Sequence, residues 1–309
     1  MNTSEVPSQF FHEYFLEWIK LYKLGAVRPI TYQKYLMTLQ RLTEIAPDLK
    51  INELTKRNYQ ALLNEYAKTH ERQTTLDFHR HLKGAILDAI DEGILTSDPT
   101  RKVIIKGKKP AKKLSKFLSQ GELQALLSHL DLATTPNWDW LILLIAKTGA
   151  RFSEALALTP SDFDFVTHNI VVSKTWNYKS STGGFEDTKN ASSQRTIKID
   201  PLLSKQLSCL TASLSESVPI FVSGRTFNST VNNRLKALCR QADIPIISLH
   251  SLRHTHASLL MHAGVSIASV SKRLGHSSIT TTQETYLHII KELEDKDSNA
   301  IVRCLSVLA

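Results

Sequence analysis

A chain of 309 residues with a formal net charge of +9, 42% hydrophobic and 22% charged residues has the make-up of a globular protein long enough for two separate cores. No apolar run approaches the ~20 residues needed to cross a bilayer, and the first ten residues hold Glu5 without a basic stretch ahead of an apolar one, so neither a membrane span nor a secretory signal is expected and a cytoplasmic setting is. The basic balance favours an anionic partner, because Lys and Arg neutralise phosphates and release condensed counterions.

In chain order, Phe10, Phe11, Tyr14, Phe15, Trp18 and Tyr22 recur at helical spacing, as do Tyr32, Tyr35, Leu36, Leu39 and Leu42, and each set predicts one apolar helix face. Thr55 is placed to cap a third helix carrying Tyr59, Leu62, Leu63 and Tyr66, and Thr75 to Ile90 supplies a fourth, with Gly93 as its stop. These helices predict a small bundle over 1–105. Between Arg101 and Lys116 the composition turns strongly basic with no acid, which sets a domain boundary and an interdomain linker over 106–116. A solvated run is the plain reading of such a segment; a strap tracking phosphates is the functional one.

Beyond the linker, over 117–309, Ser119 and Glu122 form a capping box for a helix running to Leu130, and an apolar helix spans Trp138 to Thr148 and stops at Gly149. Ile170 to Val172 and Thr196 to Ile199 predict strands, with Thr182 to Gln194 between them as a hairpin or loop, and from Pro201 the pattern is helical with breaks at Pro219 to Gly224 and at Pro245. Cys209, Cys239 and Cys304 are odd in number and far apart, so they are expected to be packing residues rather than a disulfide or metal framework.

Four segments carry groups suited to phosphate chemistry: Thr148-Gly-Ala-Arg-Phe-Ser-Glu154, Asp187-Thr-Lys-Asn190, His250-Ser-Leu-Arg-His-Thr-His256, and Leu274-Gly-His276 followed by Thr282-Gln-Glu-Thr-Tyr-Leu-His288. In their order and spacing the sequence resembles the tyrosine recombinase (phage integrase) family. The resemblance runs from about Phe10, with its specificity concentrated in the second domain. It implies a mainly α fold with a small β-sheet: an N-terminal helical bundle of the SAM-like core-binding type, then a mixed α/β catalytic domain, the two forming a clamp around the duplex.

The resemblance also implies the roles of six catalytic residues: Arg151, Lys189, His250, Arg253, His276 and Tyr286. A guanidinium at Arg151 presents a planar fork for two non-bridging phosphate oxygens; the plainer reading is a surface pair with Glu154. His250 and Arg253, three apart, share a helix face and are able to point at the same phosphate. With His254, His256 and His262 they also make a histidine cluster, but the H-E-x-x-H pairing or nearby cysteines of a zinc site are missing, which leaves the other histidines as ordinary helix residues. His276 after Gly275 is either a turn residue or the histidine that seats the tyrosine. Tyr286, the implied nucleophile, has a phenol whose ordinary pKa is about 10 and needs cations around it as it attacks; without the other segments it reads as a packing aromatic. Lys189 is the implied proton donor to the leaving 5′ oxygen, with Lys174, Lys179 and Lys198 nearby as alternatives. Phe152 and Ser251 depart from the usual pattern, at positions that do not carry the chemistry.

The implied activity is integration or excision of mobile DNA through a 3′-phosphotyrosine intermediate, with no metal and no cofactor. The implied partners are double-stranded attachment sites, other protomers in a tetramer, and an excisionase and a DNA-bending host factor. Lys174 to Tyr178 and the surroundings of Lys189 look more like integrases of Gram-positive phages and conjugative transposons than like chromosome-dimer resolvases. The stretch before Phe10 leaves no room for the arm-binding domain such integrases usually carry, so either a longer protein or a simpler recombinase without arm sites is expected. Glu292 to Leu308 reads either as a tail helix that docks on a neighbouring protomer or as a core helix in cis. A non-catalytic DNA clamp of the same fold is the rival reading.

Overall fold

The computed structural model describes residues 9–109, 117–180, 182–188 and 190–286. The chain divides into two compact units, Met1–Lys112 and Lys113–Ala309.

The first unit holds α1 (Phe11–Tyr22), α2 (Pro29–Ile45), α3 (Lys56–Ala67) and α4 (Arg72–Asp91). Of the residues the spacing selects, Phe11, Phe15, Leu42, Tyr59, Leu63, Leu82 and Ile86 are at most 1% exposed, and Ile19, outside that set, is buried with them, whereas Tyr22 is exposed. Each such side chain stabilises the fold by about 1.5–3 kcal/mol relative to exposure. Thr55 caps α3, accepting from the Asn58 amide while Asn58 returns its side-chain oxygen to the Thr55 amide. The polar ends of buried aromatics find partners: Trp18 Nε1 donates to Asp88 at 2.5 Å, Tyr14 Oη to Glu92 at 3.0 Å, and Tyr59 Oη meets His79 Nδ1 at 2.9 Å.

The second unit opens with α5 (Gln120–Ser128), which ends before the expected Leu130, and α6 (Trp138–Thr148). The run from Trp140 to Ala146 is buried on every side, as a central helix must be when it is apolar all round. At the start of α6, Asp139 holds Arg234 bidentately, Nε and Nη2 each at 2.7 Å, which fastens it to α9 (Asn228–Gln241). After α7 (Phe152–Leu156) come β1 (Phe163–Asp164), β2 (Asn169–Val172), β3 (Lys174–Trp176), β4 (Phe185–Asp187) and β5 (Arg195–Lys198).

The strands form two antiparallel sheets, one in the order β1-β2-β5 with Ile170 opposite Ile197, the other pairing β3 with β4. The β2 and β5 strands match the expected pair, whereas β1, β3 and β4 were not individually visible in the pattern. Helices α8 (Pro201–Thr211), α10 (Leu249–His262), α11 (Ile267–Leu274) and α12 (Ile279–Thr285) complete the unit. Cys239 is buried as expected of a packing residue; Cys209 corrects that expectation, because it lies on the exposed side of α8. Cys304 and the stretch Glu292 to Leu308 lie outside the described residues, as does 110–116 of the basic linker. No described helix is long and apolar enough to cross a membrane.

Candidate active site

Two helices end at glycines in the left-handed region, α6 at Gly149 (φ 69°) and α11 at Gly275 (φ 70°), a conformation that side chains with a Cβ resist. The carbonyls around these two stops receive the arginines. Arg253, on α10 and 3% exposed, donates Nη1 to the Gly149 carbonyl and Nη2 to the Leu274 carbonyl, each at 2.7 Å. Arg151, the residue before α7, donates Nη2 to the Gly275 carbonyl at 3.0 Å and Nη1 to Glu154 at 2.6 Å. Consecutive carbonyls thus hold Arg253 and Arg151 side by side, and the negative end of α11 offsets part of their mutual repulsion. Burial, and then the charge of Arg151, push the Arg253 guanidinium down to about 9.

The local pairing of Arg151 with Glu154 is present, but it is not a surface contact: the Glu154 side chain is 1% exposed. One Glu154 oxygen accepts from the Arg151 guanidinium, and the other accepts from the Arg151 amide and from Arg195 Nη2, each at 2.8 Å. Burial works against its charge, yet the guanidiniums of Arg195 and Arg151 hold the carboxyl below its usual range. Arg195 in turn donates Nε to the Arg273 carbonyl at 2.6 Å and Nη1 to the Ser193 carbonyl at 2.8 Å. It therefore ties together the segment behind Asn190, the acid that orients Arg151, and the end of α11.

The imidazoles and the phenol come from three helix termini. His250 and Arg253 both lie on α10, and His250 has its pKa lowered by desolvation and by the Arg253 and Arg151 charges. His276, just past Gly275, shares a hydrogen bond with Thr282 Oγ1 at 2.7 Å, and desolvation together with the surrounding cations, Arg253 foremost, pushes it down to about 4. Tyr286 closes α12 and is 2% exposed, packed with Ala257, Met261, Val270 and Leu274. Its Oη lies 2.8 Å from His254 Nδ1. Burial pushes the phenol up to about 12, against the opposing pull of Arg253.

Two histidines correct the expectation of ordinary helix residues. His254 holds the phenol of Tyr286. His256, buried, meets the Ala146 carbonyl with Nδ1 at 3.0 Å and accepts from Arg273 Nε at 2.9 Å, and its burial pushes it down to about 3. No spacing rule exposes either contact, since His254 and Tyr286 are 32 residues apart and His256 and Ala146 are 110 apart. Arg195 carries no role in the sequence reading.

Arg151, Arg253, His276 and Tyr286 are thus brought together, with His250 on the same helix as Arg253. Lys189 lies outside the described residues. Lys174, an alternative to it, is engaged on β3 with Asp162 at 2.8 Å and Thr159 at 3.2 Å. Of the two departures, Phe152 packs edge-on against Tyr178, and Ser251 shares the α10 cap with Ser248. Among the described residues, no three His, Cys, Asp or Glu side chains group as metal ligands.

The model of the phage integrase family matches residues 116–292. The integrase of Staphylococcus phage L54a is 24% identical over 95% of this chain and 92% of its own length. The tyrosine recombinase XerC of Rickettsia typhi is 30% identical over 85% of this chain and 82% of its own. Among solved structures, the Tn1549 transposon integrase in complex with a circular intermediate DNA has the same fold, with a TM-score of 0.76 at 17% identity over 90% of this chain and 95% of that one. With a family model that spans more than half of the chain and a relative at 30% identity across most of it, the chain belongs to the phage integrase family of tyrosine site-specific recombinases.

Proposed function

We propose that this recombinase integrates or excises mobile DNA by attack of Tyr286 on a phosphodiester held between Arg151 and Arg253. The observation that carries the reading is the meeting of those two guanidiniums on the consecutive carbonyls of Leu274 and Gly275, with the Tyr286 phenol within electrostatic reach of Arg253. Two planar forks stabilise the charge that grows on the non-bridging oxygens as phosphorus becomes five-coordinate. His250 and His276 are proposed to add hydrogen bonds to the same phosphate, and Lys189 to protonate the departing 5′ oxygen.

Attack forms the Oη–P bond and breaks the P–O5′ bond, leaving a 3′-phosphotyrosine and a 5′-hydroxyl. One phosphoester replaces another, so the bond is conserved and the reverse attack by a 5′-hydroxyl of the partner duplex rejoins the strand. Exchange between two duplexes breaks four strands, and each protomer brings one such tyrosine, which supports a tetramer as the working unit. The helical unit 1–105 is proposed as the core-binding domain and 106–116 as a basic linker following the phosphates. An excisionase and a DNA-bending host factor are proposed as the partners that set direction.

The test begins by selecting bound and cleaved duplexes from a random library, then builds a suicide substrate nicked beside the cut. In the presence of EDTA the wild type should accumulate a covalent protein–DNA adduct, and Tyr286→Phe should form none. An adduct that persists in Tyr286→Phe removes this tyrosine from the mechanism. Loss of the wild-type adduct on adding EDTA would instead point to metal-dependent cleavage, and binding without any adduct to a non-catalytic clamp.

A further inference from the structure

The family motif accounts for His250 and His276, yet neither of these is the histidine hydrogen-bonded to the nucleophile. His254 Nδ1 lies 2.8 Å from Tyr286 Oη, with the two rings edge to face at 5.6 Å. The other imidazoles near the site are differently engaged: His276 Nδ1 with Thr282, His256 with Ala146 and Arg273, and the His250 ring edge-on against His254 at 4.6 Å.

We propose that His254 is the immediate proton acceptor of Tyr286. As the Oη–P bond forms and the P–O5′ bond breaks, the phenolic proton passes to Nδ1 of His254, and the departing 5′ oxygen takes its proton from a cationic side chain, the role proposed above for Lys189. On rejoining, His254 returns the proton to Oη as the P–Oη bond breaks. The inference rests on the recombinase reading.

Three features carry it beyond proximity. Tyr286 is 2% exposed, so bulk water is not at hand to take the proton, and a side chain must. His254 directly follows Arg253 on α10, so the acceptor and one jaw of the phosphate clamp move as one body and keep their spacing to the reacting phosphorus. The proton, once transferred, leaves an imidazolium beside the phosphate at the moment negative charge is greatest there. Among the described residues, the titratable and charged groups that face His254 include His250 and Arg253 from its own helix, Tyr286 after α12 and His276 after α11.

The experiment measures adduct formation on the suicide duplex from ~pH 5.5 to ~9, with DNA affinity read separately by fluorescence anisotropy. His254→Asn keeps a hydrogen-bond acceptor near the Nδ1 position but cannot take a proton; His254→Ala removes both. His254→Asn should cleave ~10²-fold or more slowly, lose the acidic limb of the rate profile, and bind DNA with unchanged affinity. Imidazole added to His254→Ala should restore a substantial part of the rate. Cleavage by His254→Asn within about threefold of wild type would overturn the proposal, and so would a slowed His254→Asn that keeps the acidic limb together with a His254→Ala that imidazole does not rescue. If the wild type itself forms no adduct, the recombinase reading falls and takes this inference with it.

Discussion

Glu154 is the residue on which the arginine geometry turns. It is buried, its carboxyl is held below the usual range by the guanidiniums of Arg195 and Arg151 against the opposing effect of burial, and it serves both arginines at once. Removing one partner of a buried ion pair leaves an uncompensated charge and costs about 3–5 kcal/mol, and Gln, which keeps the shape and one acceptor, should cost somewhat less. Glu154→Gln is therefore expected to lose about 2–4 kcal/mol in urea unfolding and to slow cleavage more than it weakens DNA binding, because Arg151 loses its aim. A variant as stable as wild type would show that Arg195 and Arg151 do not depend on this acid.

The buried histidines set the response to acid. His256 is pushed down to about 3 and His276 to about 4, both below the ordinary value of about 6.5. The unfolded chain thus binds protons that the folded one refuses. Their contribution to stability is complete above about pH 6.5 and is lost as pH falls through the folded values. Between pH 7 and ~3.5 the protein should lose stability by about 2–4 kcal/mol through His256 alone. Urea midpoints across that range should fall steeply for wild type and less steeply for His256→Gln; parallel curves would assign the acid lability elsewhere.

At this scale the sequence disclosed identities better than contacts. Arg151, Arg253, His276 and Tyr286 stood out because their segments carry a recognisable spacing. His254 and His256 did not, since what distinguishes them is a partner far along the chain, and an imidazole on a helix has the same letter whether it faces solvent or a phenol.

Among elements, the two glycine-ended helices do most to shape the site. A Cβ at Gly149 would stand 2.8 Å from His256 Cδ2 and 2.9 Å from Leu274 Cδ2, and one at Gly275 would stand 3.0 Å from Arg195 Nη1. Gly25 has a similar φ of +77° but open space around it, so it isolates the backbone penalty. Gly25→Ala should cost about 1–2 kcal/mol, whereas Gly149→Ala should cost about 1–3 kcal/mol more through overpacking and also impair cleavage, since the Gly149 carbonyl holds Arg253. Equal losses in thermal or urea unfolding for the two variants would refute the steric argument.

The helices were legible because caps and stops were written beside them, Thr55, Ser119 and Gly149 among them. The sheet of β3 and β4 was not. Its strands are three residues each, and none of their residues is buried, so no alternation of apolar and polar positions marks them. Pairing across the intervening loop makes them strands, a fact that belongs to the fold rather than to either segment.

For the molecule as a whole, the net charge of +9 makes ionic strength the strongest external control. A protein that neutralises about 6–10 phosphates loses ~10³–10⁵ in affinity between 50 and 200 mM salt. Anisotropy titrations over that range should give a linear fall of log affinity with log salt, for specific and random duplexes alike; an affinity indifferent to salt would mean that phosphate neutralisation is not what holds the DNA. The division into Met1–Lys112 and Lys113–Ala309 falls within the basic stretch from Arg101 to Lys116.

On the proposed mechanism Tyr286 is a reagent, and in the fold it serves as a wedge. It is the largest member of the apolar group formed with Ala257, Met261, Val270 and Leu274, and it joins α10 to α11 as a core aromatic does. Once esterified to a phosphate it can no longer fill that space as a free phenol, so the covalent complex carries a slackened seam between these helices. Backbone amides of α11 should therefore exchange with deuterium faster in the trapped adduct than in the free enzyme, a loosening written into the fold by the use of one side chain for two purposes.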